Sequence, residues 1–377
     1  MFSHFFGGGG GGEGDGTIIV QTEHPYYYPG QHVTGKIFIN MKHKAHAGEV
    51  ELILKGKEKA KFIEHEQREN EVVHHKRHNN RCFLKFKHAK LNIDGGELHE
   101  GHHQIDFEFD LPDRIPASFY FHEKHHEDRP YAKIKYTLQC KIPDAHMENK
   151  QTFIVREHPL PFKEGESDTC TKPISTCCCL AKGESTLTTK FGKNIYYPNE
   201  RIEGHIAVNN EHCQIDCSNV HFAVESKLNF HIPGFMGWGT SCKTVERDLI
   251  KENHKGPEHG CCDWSKNVDL DLSHVKMPDL VDKKDKKSGG RKALSAQDAF
   301  MVKGIQSACH GKFFTCEYFL VAETTYDGCT CCAELPHAKM PISIEPLSNP
   351  DCHGFQPPHD WEPRHHGMLK PDCDYDC

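Results

Sequence analysis

Tyr27-Tyr28-Pro29-Gly30-Gln31-His32-Val33-Thr34-Gly35-Lys36-Ile37 returns 169 residues later as Tyr196-Tyr197-Pro198-Asn199-Glu200-Arg201-Ile202-Glu203-Gly204-His205-Ile206. Tyrosine pair, proline, turn residue, β-branched residue, glycine and isoleucine recur in register. A period that long means one domain used twice, not a solenoid of short units. The phrase reads as a tight turn feeding a strand. Proline followed by glycine or asparagine suits such a turn, because both of the latter tolerate a positive φ. A glycine five residues further on, inside the strand, marks a bulge or a close backbone approach.

Around each copy the chain reads as strand after strand. Ile105, Phe107, Phe109 and Leu111 alternate with Asp106, Glu108 and Asp110, and Ile134, Tyr136, Leu138 and Cys140 alternate with polar neighbours. Period-two alternation sends one set of side chains to a core and the other to water. Further strands are expected at 17–22, 33–40, 49–55, 81–87 and 151–157. In the second unit they are expected at 184–191, 202–209, 219–229, 266–272, 312–323 and 338–345. Turn residues separate them, and no amphipathic helix of twelve residues interrupts the first half. Many short strands with regular turns indicate antiparallel sandwiches. The expected fold is all-β: two tandem immunoglobulin-like antiparallel β-sandwiches at 17–158 and 184–346. A glycine-rich leader at 1–16 precedes them and a linker at 159–183 joins them. An insertion at 250–303 carries the charged run Lys283–Lys292, a solvated loop. A tail at 347–377, without a core of its own, follows.

The bulk composition narrows the function. At 377 residues each of two domains has room for a core. No run approaches the ~20 apolar residues of a membrane span, and Met1–Phe6 with its glycines lacks the regions of a signal peptide. A cytosolic chain is expected. A formal net charge of -8 argues against nucleic acid as a partner. The thirty-one histidines qualify that number: near pH 6.5 about half are protonated, adding roughly +15. Two readings stay open, a sensor of acidified compartments and solvated surface histidines.

Nineteen cysteines in a reducing compartment point away from disulfides and toward metal or simple burial. Cys177-Cys178-Cys179 lie before the second unit's first strand, and Cys329, Cys331 and Cys332 lie between its last two. First and last strands of a sandwich often neighbour each other, so the clusters could meet around a closed tetrahedral zinc. Because strand side chains alternate, Cys177 with Cys179, and Cys329 with Cys331 or Cys332, make the better quartet. Free, buried or lipid-modified thiols are the alternative. Cys261-Cys262 and Cys213-x-x-x-Cys217 are weaker metal candidates, and the tail's Cys352, Cys373 and Cys377 are open to palmitoylation.

The motifs resemble the arrestin family, and specifically the α-arrestins, or arrestin-domain-containing proteins. Tyr28-Pro29-Gly30 through Gly35-Lys36, then Val50 to Glu58, then Leu111-Pro112-Asp113-Arg114-Ile115-Pro116-Ala117-Ser118-Phe119 before Ile134-Lys135-Tyr136-Thr137-Leu138 are similar to its amino-terminal domain. Cys177-Cys178-Cys179-Leu180 and the closing Cys329-Thr330-Cys331-Cys332 with Pro341-Ile342-Ser343-Ile344 resemble its carboxy-terminal domain. The likeness covers about residues 17–346. It departs at Asn199, where a glycine is expected, and at the long insertion.

The resemblance implies a non-catalytic adaptor in intracellular protein transport and endocytic trafficking. Its implied partners are membrane-protein or receptor cytoplasmic tails, with ubiquitin ligases or coat proteins beyond them. Lys57–Lys61 and Lys85–Lys90 are basic enough to touch an acidic lipid surface or phosphorylated tails, as the family does, with solvent-facing strand lysines as the alternative, and the resemblance allows a peripheral place on plasma or endosomal membrane. The nearest match to a Pro-Pro-x-Tyr ligase motif, Pro357-Pro358-His359-Asp360, lacks the tyrosine. An arrestin-fold subunit of retromer shares the architecture, and a thiol metal or redox sensor is the reading from another class. An enzyme is not expected. Two HExxH matches, His99–His103 and His122–His126, sit in strand or hairpin contexts, whereas a zinc protease needs that motif on a helix. No phosphate loop or nucleophile elbow is present.

Overall fold

The structure, a computed structural model, describes residues 16–68, 71–87, 89–177, 180–234, 239–275, 304–330, 334–348 and 354–376. Among the described residues there is no α-helix. The leader before Gly16 and the run Lys283–Lys292 lie outside them.

The first domain is built from β1 (Gly16–Thr22), β2 (His32–Met41), β3 (Ala45–His46), β4 (Glu49–Arg68), β5 (Glu71–Lys87), β6 (Lys90–Asn92), β7 (Glu97–Leu98), β8 (Gly101–Asp110), β9 (Phe119–His122), β10 (Tyr131–Ile142) and β11 (Met147–Phe153). The second uses β12 (Ser167–Thr176), β13 (Leu180–Phe191), β14 (Ile195–Tyr196), β15 (Arg201–Asn209), β16 (Cys217–Pro233), β17 (Thr240–His254), β18 (Trp264–Asp271), β19 (Cys309–His310), β20 (Phe314–Tyr326) and β21 (His337–Ile344). The tail adds β22 (Arg364–Leu369) and β23 (Asp372–Tyr375).

Each domain packs two sheets on one plan. In the first, β1-β2-β8 faces β11-β10-β4-β5; in the second, β13-β15-β18 faces β21-β20-β16-β17. The repeated phrase sits at equivalent places in both. Tyr27 pairs parallel with Val155, as Tyr196 does with Ile344. Both tyrosine rings are buried, Tyr27 stacked on Phe153 at 5.2 Å. Fully burying a side chain of this size stabilises by about 1.5–3 kcal/mol.

The two turns are not alike. Gln31 N donates to Tyr28 O and Glu200 N to Tyr197 O, so each closes over proline. Gly30 has φ +77°, the type II geometry, but Asn199 is not among the residues of positive φ. The expectation that asparagine supplies that conformation is corrected: with a negative φ the second turn needs no glycine.

Four ranges carry more strand than the sequence suggested. The range 159–183, expected as a linker, contains β12, which pairs with β13. The hairpin arms β4 and β5 run 20 and 17 residues, well past the sandwich, and β17 starts before the expected insertion. The tail has no core of its own, but its strands join both sheets of the first domain.

Candidate functional site

The tail defines the site, because it shows which edge of the first domain receives an extended segment. A sheet edge presents unpaired N–H and C=O groups to any strand that reaches it. Here β22 runs parallel to β8, Arg364 opposite His103 and Leu369 opposite Phe107, and β23 runs antiparallel to β5. One strap thus closes one side of the sandwich across both sheets.

Its anchors are specific. Phe355 exchanges backbone hydrogen bonds with the Gln21 amide at 2.9 and 3.2 Å, and its ring lies 5.0 Å from Phe38. Trp361 stacks on His102 at 4.3 Å, and Leu369 is buried. Asp376 N donates to Phe83 O at 2.8 Å, and Arg81 donates to Asp376 O at 3.1 Å. Lys370 meets Glu108 at 2.6 Å, and Asp374 lies 3.4 and 3.1 Å from Lys85 and Lys87. Lys370 holds the Glu108 carboxyl below its ordinary range, as Lys87 does for Asp374. The strap also buries polar side chains of β8, including His103 and Gln104.

Arg81 also reaches the domain junction. Its Nε donates to buried Glu58 at 2.8 Å, while the other Glu58 oxygen accepts from Phe313 N of the second domain at 2.7 Å. Nearby, Tyr28 O–H donates to Glu345 at 2.8 Å, and Arg156 lies 3.7 Å from the same carboxylate with its guanidinium over the Tyr26 ring. Phe62 against Phe230 and Phe119 against Phe314 give the junction an apolar part. At the hairpin, Asp128 accepts from Lys243 of the second domain and pairs with His65 at 3.0 Å and His126 at 3.3 Å.

Of the expected zinc ligands, Cys177 and Cys329 do come together: Cys177 N donates to Cys329 O at 2.9 Å, with Cys177 at φ +49° and both residues exposed. Cys179, Cys331 and Cys332 lie outside the described residues, as does Cys178. Cys213 and Cys217 are buried, and burial pushes the Cys217 thiol up to about 12. Cys309 and Cys316 face each other across β19 and β20, their thiols also raised by burial. Such thiols are poor nucleophiles. Cys261 and Cys262 lie in the β17–β18 connection; of the tail cysteines, Cys373 is on β23, and Cys352 and Cys377 lie outside the described residues.

Neither HExxH stretch is helical. His103 begins the run of β8 that the strap covers, and His122 ends β9. On β4, Lys55, Lys57 and Lys59 alternate outward and are exposed. Burial, then Lys59, Lys76 and Arg129, lower the Lys61 ammonium, which places a positive field on that face. Lys90 is engaged by Glu49 at 2.8 Å, and Lys85 and Lys87 by the tail.

No helix among the described residues is long and apolar enough to cross a membrane. The family model for the arrestin (or S-antigen) N-terminal domain matches residues 16–157, and that for the C-terminal domain matches 181–350. The chain is also similar to arrestin domain-containing protein 17 of Caenorhabditis elegans, 26% identical over 195 residues. That match spans 47% of this chain and 43% of the relative, less than half of its length. With both arrestin domain models matched in order, over two sandwiches of one plan, the chain belongs to the arrestin family, of the arrestin-domain-containing type.

Proposed function

We propose that the protein is a non-catalytic adaptor that holds membrane-protein cargo in intracellular transport and endocytic trafficking. The observation that carries this reading is the strap on β8 and β5: the first domain accepts an extended segment along both sheets, with the aromatic anchors Phe355 and Trp361 ahead of it on β2 and β8. Adding a strand to a sheet edge is a general way for a protein to bind extended peptides, with main-chain bonds for affinity and side-chain pockets for choice. The cytoplasmic tail of a membrane protein or receptor has the chemistry to use the same edge. The proposed role is exercised in the cytoplasm and peripherally on plasma or endosomal membrane, a reading supported by the lysines of β4, which suit an acidic lipid surface beside that edge. Coat proteins and ubiquitin ligases are the further partners this role names. Proximity labelling in cells, with the full chain and with 354–377 removed, tests the reading. Membrane proteins and trafficking factors are expected in both sets, enriched when the strap is gone; their absence from both would remove the proposal's support.

A second reading keeps the thiol metal site, because the Cys177 and Cys329 backbones are in contact. Metal analysis of purified protein decides it. About one zinc per chain, and a melting temperature lowered by chelation, are expected if Cys177, Cys179, Cys329 and Cys331 or Cys332 close a structural site. Metal-free protein with an unchanged melting temperature after chelation leaves the cysteines as simple thiols.

A further inference from the structure

We infer that His103 and His366 make the strap acid-releasable: protonating this pair, one ring buried and the other partly so, detaches 364–369 from β8 and opens that sheet edge to another extended segment. His103 is 1% exposed, and its Nδ1 lies 2.8 Å from His366 Nε2. His103 Nε2 lies 2.7 Å from the carbonyl oxygen of His99, which only accepts, so that nitrogen carries the ring's proton. His103 Nδ1 is then the acceptor and His366 Nε2–H the donor. Both rings are neutral in this arrangement. One added proton on His366 Nδ1 leaves this hydrogen bond in place; a second, on His103 Nδ1, sets a donor against a donor.

The surroundings do not welcome either charge. Facing the pair are His99 just before β8, His102 on β8, Arg364 and His365 on the strap, and Asp94 from the turn before β7. Asp94 alone favours a charged His366. Burial first lowers both histidines from their ordinary value; at His103 the His99 carbonyl works against this, while neighbouring positive groups add to it at both. A free strap returns them to about 6.5. Groups lowered in the docked state bind protons more readily once released. Docking is therefore complete above pH 6.5 and weakens as pH falls below it.

The strap's other charges do not share this response. Glu108 and Asp374 are held below the ordinary carboxylate range by Lys370 and Lys87, so they stay ionised from pH 7.5 to 5.5. Trp361 lies face-on to His102, and an aromatic face tolerates a cationic ring. The pair His103–His366 is thus the element of the strap that changes in this window. The inference rests on the docked strap alone; the adaptor reading is decided separately, by cargo.

Hydrogen exchange of the full chain at pH 7.5 and 5.5, corrected for intrinsic rates, tests it. Uptake of one proton on release gives a tenfold change per pH unit. Protection of 364–369, and of the β8 amides it covers, should fall between the two values, by up to about tenfold for each histidine that takes up a proton on release. Protection of 201–209 in the second domain should hold. His366→Gln should keep the strap protected at pH 5.5, because an amide both donates and accepts and does not titrate. A flat wild-type profile would overturn the inference, as would His366→Gln losing protection alongside the wild type. Should that variant fail to dock at pH 7.5, His103→Gln supplies the same comparison and the wild-type profile still decides.

Discussion

The strand glycine of the repeated phrase permits a comparison within one molecule. Gly35 lies opposite Phe107 on β8, and Gly204 opposite Val268 on β18. A Cβ on Gly35 would stand 2.2 Å from Phe107 Cζ and 2.6 Å from the carbonyl oxygen of Gln21. A Cβ on Gly204 would meet Val268 Cγ2 at 3.0 Å, Phe191 Cδ1 at 3.1 Å and the carbonyl oxygen of Lys190 at 3.2 Å. Neither glycine has a positive φ, so space alone separates them. At Gly35 a buried aromatic ring and backbone must both move, and overpacking of that kind costs about 1–3 kcal/mol. At Gly204 a few tenths of an ångström suffice, and the alanine also lowers unfolded-chain entropy, worth about 0.4–1 kcal/mol. Gly35→Ala should therefore destabilise the first domain by about 2–3 kcal/mol, and Gly204→Ala the second by less than about 1 kcal/mol. Native-state hydrogen exchange of the full chain reads each domain separately, through 32–41 and 201–209. Phe107→Val, which gives β8 the side chain that β18 already has, should lower the cost of Gly35→Ala in a double-mutant cycle, leaving the part due to the Gln21 carbonyl oxygen. Equal losses at the two glycines, or no relief from Phe107→Val, would refute the close-approach argument.

Three further predictions follow from the junction and the turns. Glu58→Ala strips both Arg81 and Phe313 N of their acceptor; losing one partner of a buried pair costs about 3–5 kcal/mol, read as a lower melting temperature with faster exchange at 311–314. His310 is raised above its ordinary value by Glu157, with Glu317 adding to it, so its contribution is present below about pH 6.5 and fades as pH rises. His310→Gln should lower the melting temperature at pH 6 and leave it unchanged at pH 8.5; the same loss at both values would contradict this. Gly30→Ala must hold φ +77° with Cβ 2.6 Å from Asp113 Oδ1 and should cost about 1–2 kcal/mol, whereas Asn199→Gly should cost a few tenths by thermal melt.

What could be read from sequence tracks where one face of a strand is buried. The alternation at 105–111 and 133–141 is clean because the other face meets water, and β8 and β10 lie there. Beyond Ile63, β4 leaves the sandwich and both of its faces are solvated. Glu64 to Arg68, like the histidines of β5, therefore carry no period-two signal, and the hairpin partner, with Asp128 against His65, holds them extended. The strap is illegible for a related reason. His365-His366-Gly367 has little strand preference of its own, and Gly367 takes φ +108° at a bulge; the edge of β8 supplies the order. Cysteine density pointed to the Cys177 and Cys329 loops, which do meet, but density carries no geometry. The strap and its histidine pair, the functional candidates the structure adds, had only one trace in sequence: His99–His103 is histidine-rich where a strand begins.

The duplication itself bears on how the domains are joined. Arg156 N donates to Tyr27 O, and Glu345 N donates to Tyr196 O, so the two residues occupy the same place in the two copies. Their side chains are buried and face each other at 3.7 Å across the junction. Two identical copies would set like charges there, which at that distance in a buried site repel strongly. Divergence to opposite signs turned an equivalent pair into an attraction that identical domains cannot make. Tyr28 followed the same course: it donates to Glu345 at 2.8 Å, while its counterpart Tyr197 stands exposed. The repeat thus gave the chain two sandwiches of one plan. The differences between copies, at Arg156, Glu345 and Tyr28, join them, so reversing either charge should loosen the junction while leaving each sandwich folded.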